Sequence, residues 1–319
     1  MKLFINKILY LIIMLFIISL ISFIAINAAP NSFFASGELN PNITHESIEQ
    51  LKAIYGLDKP LYIQFFSWIY SILQLDFGIS FTSGERVKEE ILSRIPITLT
   101  INIVSMILIF IISLYFGIKS AMKKNSIFDR FTNQLSLLSF SMPSFYLALV
   151  LVLVFSIKFE IFPIAGLHSV PNDGSLNYYL DFAWHLTLPI SIIVFGGIGS
   201  LILYIRALTI EILKSDYIFF ARARGLDNKK ILRYYILPNL YPPVITLLGL
   251  SLPGIIGGSV ILETIFSIDG MGLLFYQSAL SHDYPVIMGI LIIGAFLTLI
   301  GNMFADLILL KLNPNYNEK

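Results

Sequence analysis

The side chains able to do chemistry in this sequence are few and poorly grouped. There is no cysteine, which excludes thiol catalysis, iron–sulfur ligation and disulfides. The four histidines are His45, His168, His185 and His282, and none falls in an H-x-x-x-H or H-E-x-x-H pattern. His282-Asp283 has metal-ligand chemistry but no further ligand at a useful spacing, so all four are expected as outward-lying surface histidines. Ser200 follows Gly199 inside an apolar run with no histidine or carboxylate beside it, which leaves no nucleophile–base pair. No G-x-x-x-x-G-K-[ST] stretch occurs, so the chain does not bind ATP through a phosphate loop, and any work it does is driven in trans or by an ion gradient. Two carboxylates, Glu263 and Asp306, lie within or at the ends of apolar runs, where an unpaired charge costs several kcal/mol in lipid. Asp306 has Asn302 at i−4 and Lys311 nearby, so a structural pairing is expected. Glu263 follows Gly257-Gly258, which marks an irregular backbone suited to lining a path.

The stretch richest in information is Arg206 to Asn239, where about thirty residues join two apolar runs that a short loop would connect. Ser215-Asp216-Tyr217 has the composition of a helix start. The Tyr217–Arg224 stretch has helical composition, Gly225 turns the chain, and Leu226-Asp227-Asn228 restarts it. Lys229–Ile236 then reads as a second basic amphipathic helix, ending at Leu237-Pro238. A helix, a glycine corner and a second helix make a compact knob, either a basic surface helix at the membrane or a docking piece for a partner.

The elements that position these residues follow from composition. Of 319 residues, 56% are hydrophobic and 13% charged, with a mean hydropathy of +0.81; a soluble domain carries roughly 25% charged residues. The apolar residues form runs near the ~20 residues a bilayer-crossing helix needs, so the chain is a polytopic helical membrane protein without a nucleic-acid role. Six spans are expected: Ile8–Ile26, Ile97–Ile118 opening after Pro96, Phe131–Ile157 kinked at 139–143, His185–Ile205 with Gly196, Gly197 and Gly199 for close helix approach, Tyr241–Glu263 broken near Pro253, and Pro285–Leu312. The Leu61–Leu75 run is too short to span and is expected in the membrane interface. Lysine and arginine concentrate at the two termini and in the 119–130 and 206–233 loops, which places both termini in the cytoplasm. The division is an N-terminal helix (1–29), an outward insertion (30–96), a five-helix core (97–312) containing the cytoplasmic segment 207–240, and a tail (313–319).

Ala221-Arg222-Ala223-Arg224-Gly225-Leu226, followed by Leu237-Pro238, resembles the "EAA" motif of ATP-binding-cassette (ABC) importer permeases. Asp216-Tyr217 ahead of it is similar to the oligopeptide, dipeptide and nickel branch. The likeness extends over nearly the whole chain, through Leu57–Leu61, Leu75–Ser80, Ser141-Met142-Pro143-Ser144-Phe145, Glu263–Phe266, Asp269–Gly272, Asp283–Pro285, and Asn302 with Asp306. The sequence departs from the pattern at Phe219, where the general motif has Glu, at Tyr235, where the branch has His, and at Asn313-Pro314-Asn315.

The resemblance implies an all-α, six-span permease of the type I importer kind, a transport subunit rather than an enzyme, in a prokaryotic inner membrane. It implies a homologous second permease, two cytoplasmic ATPases that bind ATP and magnesium, an extracytoplasmic substrate-binding protein, and no cofactor or metal held by this chain. Di- and oligopeptides are the first implied cargo and nickel the second; an ion-driven secondary transporter is the alternative of another class. Residues carried over to ATPase coupling are Asp216, Tyr217, Ala221, Arg222, Ala223, Arg224, Gly225, Leu226, Leu237, Pro238 and Asn239. Candidates for the translocation path are Ser141, Pro143, Ser144, Gly257, Gly258 and Glu263.

Overall fold

The computed structural model describes residues 2–28, 59–251, 254 and 259–312. Residues 30–58 of the expected outward insertion, Gly257 and Gly258, and the 313–319 tail lie outside the described residues. Apart from an isolated bridge between Ile79 and Arg86, the regular structure among these residues is helical. The helices are α1 (Lys2–Ala28), α2 (Leu61–Leu73), α3 (Val87–Met122), α4 (Ile127–Ser141), α5 (Ser144–Leu151, continued by a π-helical stretch Val152–Lys158), α6 (Leu176–Leu213), α7 (Asp216–Ala223) and α8 (Asn228–Ile231). A π-helical stretch Leu232–Ile236 leads into α9 (Leu237–Ser251), followed by α10 (Val260–Ile265), α11 (Met271–Leu280) and α12 (Tyr284–Leu312). The chain divides into two compact units, one of residues 1–98, 256–260 and 269–300, the other of 99–255, 261–268 and 301–319.

In the first unit, Val87 and Ile91 at the start of α3 are fully buried against Met271, Leu274, Val286 and Ile290. The backbone of α12 comes so close at Gly289 that a Cβ there would stand 2.7 Å from Val87. A second cluster joins Phe23, Phe65 and Met288, with the Phe65 ring edge-on to Phe16 and Phe23 at 5.8 and 5.3 Å. Asp283 is 1% exposed and accepts hydrogen bonds from the Ser80 hydroxyl (2.5 Å), the Phe81 N–H (3.1 Å) and the Thr82 N–H (3.0 Å). This carboxylate therefore staples the 80–82 turn to the start of α12. Asp283→Ala strips the buried Ser80 hydroxyl and the half-buried Phe81 N–H of their acceptor, while the exposed Thr82 N–H keeps Ser80 Oγ at 3.3 Å; a buried group left unsatisfied costs about 1–3 kcal/mol. The expected outcome is a clearly lowered thermal midpoint in detergent; an unchanged midpoint would mean the turn finds other partners.

In the second unit, α3, α4 and α6 pack through small residues. The Gly197 backbone faces Ile109 and the Gly117 backbone faces Ile205, each so closely that an added Cβ would lie within 3 Å of the facing side chain. These two contacts advance together, so α3 and α6 run parallel. Against α4 the order reverses: the Ser139 hydroxyl donates to the Phe195 carbonyl, Gly199 lies under Ser136, and Asp129 meets Arg206. The α4–α6 pair is thus antiparallel and closed at three levels along its length.

Several expected boundaries move, each for a local reason. The second apolar run does not begin at Pro96. Its helix starts at Val87 and carries Pro96 inside it, because burial of Val87 and Ile91 holds an amphipathic extension together. The span beginning at His185 is likewise longer, running from Leu176, capped by the Ser175 hydroxyl accepting from the Tyr178 N–H. The expected kink at 139–143 is a 101° turn between α4 and α5. Met142 precedes Pro143 and is held extended (φ −84°, ψ 123°), as the proline ring demands of its predecessor. Nor does Pro238 end a helix: α8, the 232–236 stretch and α9 form one continuous rod. The Leu237 N–H bonds back five residues to the Leu232 carbonyl, a widened turn that absorbs the donor proline lacks. Among the described residues three helices are long and apolar enough to cross a membrane, or four when α4 and α5 count as one bent span.

Candidate coupling segment

The knob between α6 and α9 is built on an apolar underside. Ile218, Ala221, Ile231 and Ile236 are at most 1% exposed. The three isoleucines share a core with Phe110, Ile118, Ile205, Leu240 and Val244. Spacing explains the selection: Ile218 and Ala221 are three apart, so they lie on one face of α7. Burying an isoleucine side chain is worth roughly 1.5–3 kcal/mol, so these few residues fasten the knob firmly to α3 and α6.

The opposite face is open. Tyr217, Phe219 and Phe220 are 41, 69 and 61% exposed, and Asp216, Arg222, Ala223 and Arg224 are exposed beside them. Tyr217 stacks over Tyr235 with ring planes 14° apart, and Arg224 Nη2 donates to the Tyr235 hydroxyl at 3.0 Å. Asn239 Nδ2 donates to the Tyr235 carbonyl at 2.7 Å. Tyr235 therefore ties the two arms of the knob together, a role the sequence reading, which noted it only as a departure, did not assign. Leu226 and Leu237 are half-buried and pack on the same core, while Pro238 is exposed. Ser215 precedes α7, but its hydroxyl donates back to the Ile212 carbonyl at 2.5 Å instead of capping the new helix. Asp227 does cap α8, accepting from the Lys230 N–H at 3.0 Å.

Gly225 makes the corner with φ +77°, and a Cβ there would meet nothing within 4 Å. Glycine is needed for conformation, not for room. The left-handed form costs other residues roughly 1–2 kcal/mol, least for Asn. Gly225→Asn is expected to leave the protein near wild type, and Gly225→Val to weaken both thermal stability and recovery of bound ATPase. Full ATPase recovery by Gly225→Val would show that the corner's shape is dispensable.

The path candidates are more scattered. Ser141, Pro143 and Ser144 are exposed at the 101° turn. Glu263 is buried in α10, and its carbonyl accepts from the Ile268 N–H at 2.9 Å. Gly257 and Gly258 fall outside the described residues.

The structure corrects one expectation about histidines. His185 is not a surface group but 5% exposed, with Nδ1 2.8 Å from the Asp181 carbonyl and Nε2 3.2 Å from the Ser169 hydroxyl. A carbonyl only accepts, so Nδ1 is the donor in that bond. His168 stacks on Tyr178 at 3.9 Å with nearly parallel rings, and the Ser169 N–H donates to Asp181 at 2.6 Å. Serine, histidine and aspartate thus meet, but with the imidazole proton on a main-chain carbonyl they anchor the 160s loop to α6 and make no nucleophile. The i, i+4 spacing of Asp181 and His185 was the available signal. Among the described residues no group of three or more histidine or acidic side chains is placed to hold a metal ion.

Long apolar helices, one of them leading into a helical knob with an exposed aromatic and basic face, define a multi-pass helical membrane protein. The chain belongs to the family described as binding-protein-dependent transport system inner membrane component, which matches residues 109–318, with the family's N-terminal region matching residues 1–102. It is 36% identical over 298 residues to the oligopeptide transport system permease protein AppB of Bacillus subtilis, covering 93% of each chain. It is 32% identical to the dipeptide transport system permease protein DppB of Lactococcus lactis, covering 95% of each. To the metal-staphylopine import system permease protein CntB of Staphylococcus aureus it is 31% identical, covering 92% of this chain and 89% of that one. The fold matches a chain of the MetNI methionine ABC transporter in an inward-facing form, with TM-score 0.55 and 17% identity, over 70% of this chain and 96% of that chain. The protein is therefore a transport subunit of an ABC importer. The ion-gradient alternative falls away, as does a catalytic role for this chain.

Proposed function

We propose that this chain forms half of the translocation path of an ATP-driven importer of di- and oligopeptides in a prokaryotic inner membrane. A homologous permease forms the other half, an extracytoplasmic binding protein delivers cargo, and two ATPases holding ATP and magnesium seat the 216–239 knob. The observation carrying this reading is the two-faced knob: a buried isoleucine underside fixed to α3 and α6, and an exposed face of Tyr217, Phe219, Phe220, Arg222 and Arg224. Aromatic and arginine side chains are what protein interfaces concentrate at their centres. Basic residues gathered at the termini, the 119–130 loop and the knob support six spans with both termini cytoplasmic. The peptide reading is supported by the similarity to AppB and DppB; the similarity to CntB, a metal-staphylopine import permease, supports the second reading, import of nickel or another small solute.

The test is gentle solubilisation of the tagged chain from its native membrane, with mass spectrometry of what co-purifies. Stoichiometric recovery of a second permease and of P-loop ATPases is expected. Recovery of the chain alone, with uptake in liposomes lacking ATP, would overturn the proposal. Competition of uptake by mixed tripeptides against metal chelates separates the two cargo readings.

A further inference from the structure

Among the described residues, five hydrogen bonds converge on one carboxylate just before the knob, Asp129. This carboxylate is 2% exposed. Arg206 grips it with both prongs, Nε to Oδ1 at 2.7 Å and Nη2 to Oδ2 at 2.9 Å. The Ser120 hydroxyl makes a short bond to Oδ1, the Asn125 N–H donates to Oδ2 at 2.8 Å, and Asn133 Nδ2 donates to Oδ1 at 3.2 Å. One carboxylate thus gathers the end of α3, the 123–126 turn, α4 and the last third of α6. Bidentate arginine–carboxylate pairs fix geometry as well as adding energy. The neighbouring cations Lys123, Lys124 and Arg130 are exposed, so the cluster singles out Arg206, which lies two turns before α6 ends at Leu213.

We propose that Asp129 and Arg206 are positioning residues for ATPase coupling, a strut that sets the angle at which α6 hands the chain to the knob. This rests on reading 216–239 as the ATPase contact. Below Arg206, α6 continues for seven residues and α7 begins three residues later, so any slack at Arg206 reaches the knob directly. The strut crosses from α6 to α4, whose own path is fixed by Gly199 and Ser139 higher up. Without it, the lower third of α6 is held to α4 at one end only.

The chain has no cysteine, so two spin labels can be placed uniquely on it, at Ile127→Cys and Lys229→Cys, both exposed sites. Distances are read in the assembled importer with partner cysteines replaced. A narrow distribution is expected in the otherwise wild-type chain. Asp129→Asn should at least double its width while ATPase co-purification persists. Arg206→Lys, which keeps the charge but loses the fork, should give an intermediate width. A merely stabilising pair would lower the thermal midpoint without widening the distribution, and unchanged widths in both variants would overturn the proposal. Should Asp129→Asn fail to fold, the Arg206→Lys width decides alone. Failure of the coupling reading looks different: the wild-type chain would then purify without ATPases while the 127–229 width still responded to both variants.

Discussion

Gly199→Leu is expected to abolish recovery of folded protein from membranes, the largest effect of any single substitution considered. A Cβ at this position would stand 2.5 Å from the Ser136 carbonyl oxygen, 2.7 Å from the Ser139 hydroxyl and 2.9 Å from the Phe140 nitrogen. Two of those atoms are backbone and cannot rotate aside, so the helices themselves must part. Even Gly199→Ala should cost about 1–3 kcal/mol, the usual range for overpacking. It should also break the bond from Ser139 to the Phe195 carbonyl that closes α4 on α6. The control is three residues away, at Gly196, where an added Cβ meets nothing within 4 Å. Gly196→Leu should leave the isolated chain's thermal midpoint unchanged. Equal tolerance of leucine at both positions would show that α4 is not closely held.

The second large effect is expected at Ile218. Replacing this 1% exposed side chain by Asp puts a carboxylate among Ile205, Ile231, Ile236 and Leu240, where an isolated charge is far too costly to remain in place. The knob should lift from α3 and α6 while the spans stay inserted. The expected readout is a chain that reaches the membrane in normal amount but loses nine-tenths or more of its co-purifying ATPase. Phe219→Ala, on the exposed face, tests the opposite side: it should weaken ATPase recovery with no change in thermal midpoint. Normal ATPase binding by Ile218→Asp would separate the knob's seating from its proposed task.

Much of this was legible because the deciding signals were local. Helix, corner and helix in the knob could be read from Gly225 and Asp227, since a left-handed corner and an N-cap depend on one or two residues each. The motif around Ala221–Leu226 gave the family before any helix was placed. What could not be read were consequences of pairing between distant segments. Gly196, Gly197 and Gly199 look alike in sequence, yet two of them touch a neighbour and one does not. Asp129 stands out in no local pattern, because its partner lies 77 residues away. Pro238 read as a stop because proline usually is one; the widened 232–236 turn that lets the helix continue has no sequence signature. His185 read as surface because Ser169 and Asp181 come together only when the 160s loop folds back on α6.

The continuity of the chain through Pro238 has a mechanical corollary. From Asn228 to Ser251 the helical segments follow one another with no intervening loop, and at about 1.5 Å per residue the 24 residues reach roughly 36 Å. A crank of that length turns a tilt of about 10° at one end into a sweep of about 6 Å at the other. Three prolines, Pro238, Pro242 and Pro243, stand in its middle third, so whatever bending the rod permits is concentrated there and the arms on either side stay stiff.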